Sequence, residues 1–124
     1  MARYSSAACG ATPHNMDDLM QRKCSPCEGG TPPLTHKQIQ EYIKQVSSDW
    51  QVVDDKMIQR IFKFKNFKSA MAFVNRIANL AEAEGHHPDI QIHYNKVVIE
   101  FWTHAIEGLS ENDFIVAAKI EELD

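Results

Sequence analysis

The part of the sequence that most restricts the fold runs from residue 66 to residue 88, where a long helical pattern is followed by residues that stop it. Asn66 is a suitable N-cap. Apolar residues then recur with helical spacing at Phe67, Met71, Val74, Ile77, Ala78 and Ala81, and Phe73 and Leu80 widen this stripe. Gly85 is typical of a helix C-terminus, and Pro88 cannot continue a helix. We therefore predict a helix over residues 67–84, whose broad stripe serves the core, a partner subunit or both.

Runs of alternating apolar and polar residues lie before and after this helix. Residues 50–64 contain two such runs around a turn at residues 54–56, and residues 90–102 contain two more around a turn that we place at Asn95-Lys96. Each pair of runs predicts a β-hairpin. Two hairpins make a four-stranded antiparallel sheet.

Capping patterns predict a further helix on each side of this region. Thr35 and Gln38 form a capping box before an apolar face over residues 38–46, and Ser110 with Asp113 opens a C-terminal helix in the same way. The expected inner face of that last helix is Val116, Ile120 and Leu123. The fold class is therefore α+β, in the order α-ββ-α-ββ-α, with a four-stranded antiparallel sheet and helices packed on one face.

The length and composition indicate one domain. The chain has 124 residues, of which 44% are hydrophobic and 24% charged, as in ordinary globular proteins. We predict a domain over residues 21–124. Residues 1–20 have no hydrophobic periodicity and are predicted to be a flexible extension. An organelle-targeting role is open beside the expected cytoplasmic location, although Arg3, the only Lys or Arg among these residues, argues against it.

The charge balance does not favour nucleic acid or membrane partners. The formal net charge is -4, and no apolar run approaches the roughly 20 residues of a membrane helix. Residues 62–68 alternate phenylalanine with lysine, a pattern open to base stacking or to an amphipathic strand that leads into a helix. We favour the second interpretation and expect neither nucleic acid nor membrane as a partner.

The three cysteines predict no disulfide framework. Cys9, Cys24 and Cys27 follow no secretory hydrophobic segment. Cys24 and Cys27 form a CxxC pair, but a structural zinc site usually needs a second pair of ligands, and none follows at a suitable spacing. We therefore expect reduced thiols.

Three histidines lie at places where neither helix nor strand formation asks for them. His86 and His87 occupy the break after the long helix, and His104 follows the last strand. A hairpin turning at Asn95-Lys96 would set Pro88 or Asp89 opposite residue 103 or 102. His104 would then lie at the same end of the sheet as the pair, so the spacing predicts one pocket.

Histidine suits proton transfer, because its ordinary pKa of about 6.5 lets it donate or accept a proton near neutral pH. Glu82, one turn before His86, is placed to orient an imidazole or to hydrogen-bond a substrate. Several alternatives are open. Glu82 can be a solvated charge, His104 a surface residue at a strand end, and Asp113 only the cap of its helix. His86 and His87 can simply be polar residues at the C-terminus of the helix, where the negative end of the helix dipole favours positive charge. The three histidines can also form a zinc site, which we disfavour because adjacent histidine side chains diverge.

These residues follow a known signature: an acidic residue, three others, His-His-Pro, five others, an aromatic, nine others, His, eight others and Asp. The chain meets every spacing with Glu82, His86-His87-Pro88, Tyr94, His104 and Asp113. In this it resembles the pterin-4a-carbinolamine dehydratases, over about residues 22–124. One departure is Ile90, where animal members commonly carry Trp.

The resemblance implies dehydration of a 4a-hydroxytetrahydropterin to the quinonoid dihydropterin, with no metal and no cofactor. It implies catalytic roles for His86, His87 and His104. We expect His86 and His104 to transfer protons, His87 to contact the pterin, and Asp113 to hold His104 in its working tautomer. Substrate binding or support is expected from Glu82, Pro88, Asp89, Trp102 and Asp113.

The resemblance also implies partners. Family members form homodimers through joined sheet edges and homotetramers through paired helices, so we expect a homo-oligomer. Animal members also stabilise the dimer of a transcription factor through the long helix, which makes a protein-binding scaffold the alternative function. A third alternative is pterin handling in folate or molybdopterin metabolism. The sequence does not select among pterin substrates.

Overall fold

The computed structural model describes residues 16–25 and 31–123. The helices are α1 (Met16–Gln21), α2 (His36–Ile43), α3 (Phe67–Glu84) and α4 (Glu111–Ile120), and the strands are β1 (Gln51–Val53), β2 (Met57–Lys63), β3 (Asp89–His93) and β4 (Lys96–Phe101). Short 3-10 turns follow β4 and α4 at His104–Ile106 and Glu121–Leu123. The predicted α+β class and the order of helices and hairpins over residues 36–120 are confirmed.

All four strands form one antiparallel sheet in the order β1-β2-β4-β3. The central strands pair Ile58 with Phe101 and Phe62 with Val97, while β1 and β3 form the two edges. Side chains alternate between the two faces of a strand, so Ile58 and Phe62 of β2 lie with Val97, Ile99 and Phe101 of β4 on the face that is covered by helices. The sheet thus offers one apolar face to the core, as the alternation predicts.

The predicted position of the second hairpin turn is wrong by one residue. His93 pairs with Lys96, so the turn is Tyr94-Asn95, and Asp89 lies opposite Glu100 instead of Trp102. Asn95 fixes this turn by exchanging hydrogen bonds with Phe64: its side-chain amide donates to the Phe64 carbonyl at 2.8 Å, and its carbonyl accepts from the Phe64 N–H at 2.8 Å. Tyr94 adopts a φ of 55° to make the turn.

The core lies between the sheet and the helices. Phe62 of β2 contacts Phe73 of α3 with ring centroids 4.7 Å apart, and Tyr42 of α2 stacks on Phe114 of α4 at 5.0 Å. Each of these buried side chains stabilises the fold by about 1.5–3 kcal/mol relative to exposure. Helices and sheet are therefore held together largely by aromatic and aliphatic burial.

Helix α4 is buried on all sides, which the predicted inner face of Val116, Ile120 and Leu123 does not anticipate. Its residues from Glu111 to Ala118 are all buried, because α1, α2 and α3 all pack against it. Leu19 of α1 is fully buried in the same core. Residues 16–20, predicted to belong to a flexible extension, are helical. Residues 1–15, among them Cys9, and also Cys27 lie outside the described residues.

Helix α3 begins and ends as predicted, but only part of the predicted stripe is buried. The Asn66 side chain accepts from the Ser69 N–H at 2.8 Å, as an N-cap does. The buried residues are Ala70, Phe73, Ile77 and Ala81. Ala78 is exposed and Phe67 is 49% exposed, because the sheet contacts the Phe73 side of the helix. No helix in the described ranges is both long and apolar enough to cross a membrane.

Gly85 ends α3 in the left-handed region, with a φ of 69°, and its N–H donates to the Ala81 carbonyl at 2.8 Å. We expect Gly85→Ala to lower the free energy of unfolding by about 1 kcal/mol, because a Cβ disfavours this conformation. No atom lies within 4 Å of an added Cβ, so the cost is conformational and not steric. Gly85→Asn is the matched control and should cost less, since Asn tolerates positive φ. Equal stability of Gly85→Ala and the wild type in urea unfolding would contradict this account.

Candidate active site

The break after α3 places two histidines at the mouth of a cleft of about 630 Å³. The cleft lies between the end of α3, the end of β4 with its following turn, and the first turn of α4. Six of the eight predicted site residues line it: His86, His87, Pro88, Asp89, Trp102 and His104. The helix break and the strand end therefore meet as predicted, although the hairpin register differs from the predicted one.

His86 is held by a buried carboxylate. Its Nε2 lies 2.6 Å from Oδ1 of Asp113, and its ring lies parallel to the Phe101 ring with centroids 6.0 Å apart. The side chain of Asp113 is fully buried, and that of His86 is 12% exposed. When the ring is neutral, an Nε2–H that donates to Asp113 leaves Nδ1 as the nitrogen that can accept a proton.

Asp113 is itself fixed by donors on its second oxygen. Oδ2 accepts from the Thr103 hydroxyl at 2.9 Å and from the Ser110 N–H at 3.0 Å. A hydrogen bond of 2.7 Å also joins the hydroxyl groups of Thr103 and Ser110. A buried carboxylate with several donors keeps its charge at a lower cost than an unpaired one. Asp113 thus has two roles, since it caps α4 as predicted and also orients His86.

The expected pairing of Asp113 with His104 is wrong. Thr103 has extended backbone, with φ -101° and ψ 107°. Neighbouring side chains point to opposite sides of such a backbone, so Thr103 faces Asp113 whereas His104 faces away. Thr103 is a residue that sequence reasoning missed. The sequence offers one signal for Thr103, which is that this small polar residue directly precedes His104 of the signature.

His87 has a carboxylate partner of its own. Its Nε2 lies 2.6 Å from Oε2 of Glu82, and both side chains are mostly exposed. Glu82 therefore orients an imidazole as expected, and that imidazole belongs to His87. Because water competes for such an exposed pair, it contributes little to stability.

His104 is placed by aromatic stacking. Its ring lies on the Trp102 indole with centroids 3.9 Å apart, and the indole N–H donates to Oδ2 of Asp89 at 3.2 Å. Asp89, Trp102 and His104 thus form a chain of contacts across the β3 and β4 ends. His104 itself is exposed, so its ring can exchange protons with water.

A third pair of opposite charges lies at the cleft, where Lys119 of α4 binds Glu84 of α3, a residue of the cleft lining. Burial alone would raise the pKa of Glu84, but the hydrogen bonds from Lys119 and from the Cys24 N–H, with nearby positive charge, lower its pKa overall. Burial and the negative charge of Glu84 raise the pKa of the Cys24 thiol, which therefore stays protonated. Within the described ranges, no cluster of His, Cys, Asp or Glu has the arrangement of a metal site.

Comparisons with known proteins identify the class of protein. The family model described as "Pterin 4 alpha carbinolamine dehydratase" matches residues 32–123. Two bacterial relatives are candidate dehydratases of the same name, from Alkaliphilus metalliredigens (50% identical over 86% of this chain and 96% of its own) and Nitrosomonas europaea (51% over 88% and 96%). The chain belongs to the pterin-4-alpha-carbinolamine dehydratase family.

Two solved structures are also similar. The transcriptional coactivator/pterin dehydratase from Brucella melitensis is 35% identical, with a TM-score of 0.68 over 73% of this chain and 97% of that chain. A pterin dehydratase-like protein that is a RuBisCO assembly factor in the alpha-carboxysome is 25% identical, with a TM-score of 0.50 over 60% of this chain and 84% of that chain. The fold is thus shared by proteins that are described as having different roles.

Thr103→Val should lower the free energy of unfolding by about 1–3 kcal/mol, because it removes a donor from a buried carboxylate while keeping the side-chain shape. Thr103→Ser keeps the hydroxyl and is the matched control, with a smaller loss. Urea unfolding at neutral pH measures both. A Thr103→Val protein as stable as Thr103→Ser would show that this hydrogen bond does not stabilise the fold.

Lys119→Met should destabilise the protein by about 3 kcal/mol at neutral pH, because it leaves the Glu84 carboxylate buried without its cation. In the wild type the pKa of Glu84 is lowered by folding, so its stabilisation is present above about pH 4.3 and is lost as the pH falls through the folded-state pKa. The stability difference between the two proteins should therefore narrow between neutral and acid pH, as Glu84 is protonated first in the variant and then in the wild type. Urea unfolding across this range measures it, and a difference independent of pH would exclude Glu84 as the cause.

Proposed function

We propose that this protein is a hydro-lyase that dehydrates a 4a-hydroxytetrahydropterin to the quinonoid dihydropterin. In this reaction the bond between C4a and the hydroxyl oxygen breaks, the N5 proton leaves, and a C4a=N5 double bond forms with release of water. The site must therefore supply one proton to the leaving hydroxyl and accept one from N5. Nothing is oxidised or reduced.

The observation that carries this proposal is one cleft lined by three imidazoles in three different surroundings. His86 is bonded to a buried carboxylate, His87 to an exposed one, and His104 is stacked on an indole at the surface. A dehydration needs an acid and a base at one site, and imidazoles can serve as both. Family membership and the signature spacing support the same reaction.

We assign the base to His86. A histidine that takes up a proton becomes an imidazolium, and the Asp113 carboxylate 2.6 Å away stabilises that charge. The same hydrogen bond fixes the ring orientation, so Nδ1 is the nitrogen that can accept the N5 proton. Asp113 acts through His86 and is therefore a positioning residue.

His104 is the proposed acid. An exposed ring can regain a proton from water after each turnover, which a buried one cannot do as readily. The Trp102 indole supports the His104 ring from one side and is anchored by Asp89. His87, oriented by Glu82, is the proposed contact for the polar edge of the pterin. Each proton transfer contributes about 10²–10⁴-fold to the rate.

The decisive experiment is an assay of 4a-hydroxytetrahydropterin dehydration. His86→Gln and His104→Gln should each lower kcat by about 10²-fold or more, because each removes one proton transfer. His93→Gln is the matched control, since His93 is exposed on β3, bonds to Gln91 and does not line the cleft. Full turnover by either cleft variant would contradict its assigned role.

A chelator separates this proposal from the zinc alternative. Activity should persist after treatment with a strong chelator, because the proposed mechanism uses side-chain protons alone. Complete loss on chelation, with recovery on adding zinc, would favour a metal site. Absence of activity in the untreated wild type would overturn the dehydratase assignment.

Protein binding is the second candidate function. One of the two similar structures is a transcriptional coactivator/pterin dehydratase and the other is a RuBisCO assembly factor, which supports such a role for this fold. Exposed apolar side chains are available here, among them Phe67 of α3 at 49% and Tyr94 at 65% exposure. A scaffold would keep its partner after His86→Gln and His104→Gln, whereas a dehydratase would lose turnover.

The homo-oligomer and the physiological pterin stay predictions. Strand β3 is an edge strand whose residues are exposed apart from Ile90, so its outer backbone groups can pair with another strand. Size measurement in solution tests the homodimer or homotetramer, and competition among pterins with different C6 side chains tests the substrate. The cytoplasmic location is likewise still a prediction.

A further inference from the structure

One wall of the cleft comes from residues 22–25, which precede the stretch matched by the family model. We call these four residues the strap. Cys24 and Ser25 of the strap line the cleft together with the signature histidines. Neither residue belongs to the signature, and the proposed reaction gives them no task.

The strap is clamped to the first turn of α4. The Ser25 N–H donates to the Asn112 side-chain oxygen at 2.9 Å, and the Asn112 amide donates back to the Ser25 carbonyl. Arg22 forms an ion pair with Glu111, whose side chain is fully buried. These contacts join the strap to the residues immediately before Asp113. Its position is therefore coupled to that of the carboxylate that orients His86.

A second clamp joins the strap to the end of α3. The Cys24 N–H donates to Oε1 of Glu84 at 3.1 Å, and Glu84 is the last residue of the helix that Gly85 ends. The other oxygen of Glu84 binds Lys119. The strap is thus fixed to both element ends that carry the His86–Asp113 pair. A segment held this way keeps a defined place at the cleft.

Cys24 is suited to contact a ligand without reacting with it. Because burial and Glu84 raise the pKa of the thiol, it stays neutral and is a poor nucleophile. A neutral thiol behaves as a small apolar group. It adds no charge that would disturb the two carboxylate–histidine pairs and presents a surface on which a flat heterocycle can lie.

We propose that the strap is a substrate-contacting wall in which Cys24 and Ser25 lie against the bound pterin and set how tightly it is held. The inference rests on the proposed function, because it needs a pterin in the cleft. The strap contributes to binding of the ring, whereas the proton transfers belong to the histidines. Altering it therefore changes Kd and KM more than kcat.

A match to a relative also extends over this segment. The match to the protein from Nitrosomonas europaea covers 109 of the 124 residues of this chain. A stretch of that length must start at or before residue 16, so it includes residues 22–25. The strap therefore lies in the part of the chain that aligns with such relatives, although the family model begins only at residue 32.

The test compares the same substitution at two neighbouring positions. Cys24→Phe puts a ring into the wall of the cleft, whereas Lys23→Phe puts it on the exposed side of the strap. Binding of 7,8-dihydrobiopterin is followed by quenching of tryptophan fluorescence, since Trp102 lines the cleft. We expect Cys24→Phe to raise Kd and KM by about tenfold or more, because the added ring takes up space that the ligand needs, and Lys23→Phe to leave both within about twofold.

Folding is checked by urea unfolding of each variant. Cys24 packs partly against the core, so Ser25→Tyr is the second variant if Cys24→Phe does not fold, and it should raise Kd and KM in the same way. If the wild type binds the pterin and turns over while the strap variants match Lys23→Phe, the strap inference is overturned and the dehydratase assignment stands. A wild type that neither binds a pterin nor turns over overturns both.

Discussion

The site depends on a carboxylate held inside the protein. Asp113 is fully buried in the first turn of α4, where an unpaired charge would cost several kcal/mol. It is tolerated because Thr103, Ser110 and His86 all direct hydrogen bonds at it. The same contacts that satisfy the charge join the end of β4, the start of α4 and the break after α3. Folding of these three regions and assembly of the site are therefore one event.

The three histidines have similar chemistry and different surroundings, and the surroundings separate their roles. A buried partner fixes His86 in one orientation, an exposed partner orients His87 weakly, and stacking on Trp102 leaves the nitrogens of His104 open to water. The carboxylate partners hold one ring nitrogen of His86 and one of His87 in place, whereas the ring nitrogens of His104 stay accessible to water. A reaction that moves one proton in and another out uses both kinds of imidazole.

Much of the fold was predictable because local signals agreed with each other. The local signals are the N-caps at Thr35 and Asn66, the C-cap at Gly85 and the alternation along the strands. Each depends on residues that are close in sequence, so each can be recognised from the sequence alone. The partner of Asp113 was not predictable, because it depends on which side of the backbone Thr103 faces. Helix α1 was missed for a related reason: its order comes from contacts with α4, which lies about 90 residues further along the chain.

The central position of α4 ties activity to the integrity of the whole molecule. A helix enclosed by α1, α2 and α3 cannot loosen without opening the core, and its first turn carries the carboxylate that orients His86. A change that loosens α4 would therefore disturb the core and the orientation of His86 together. Selection for tighter packing of the interior would also hold the His86 ring more rigidly.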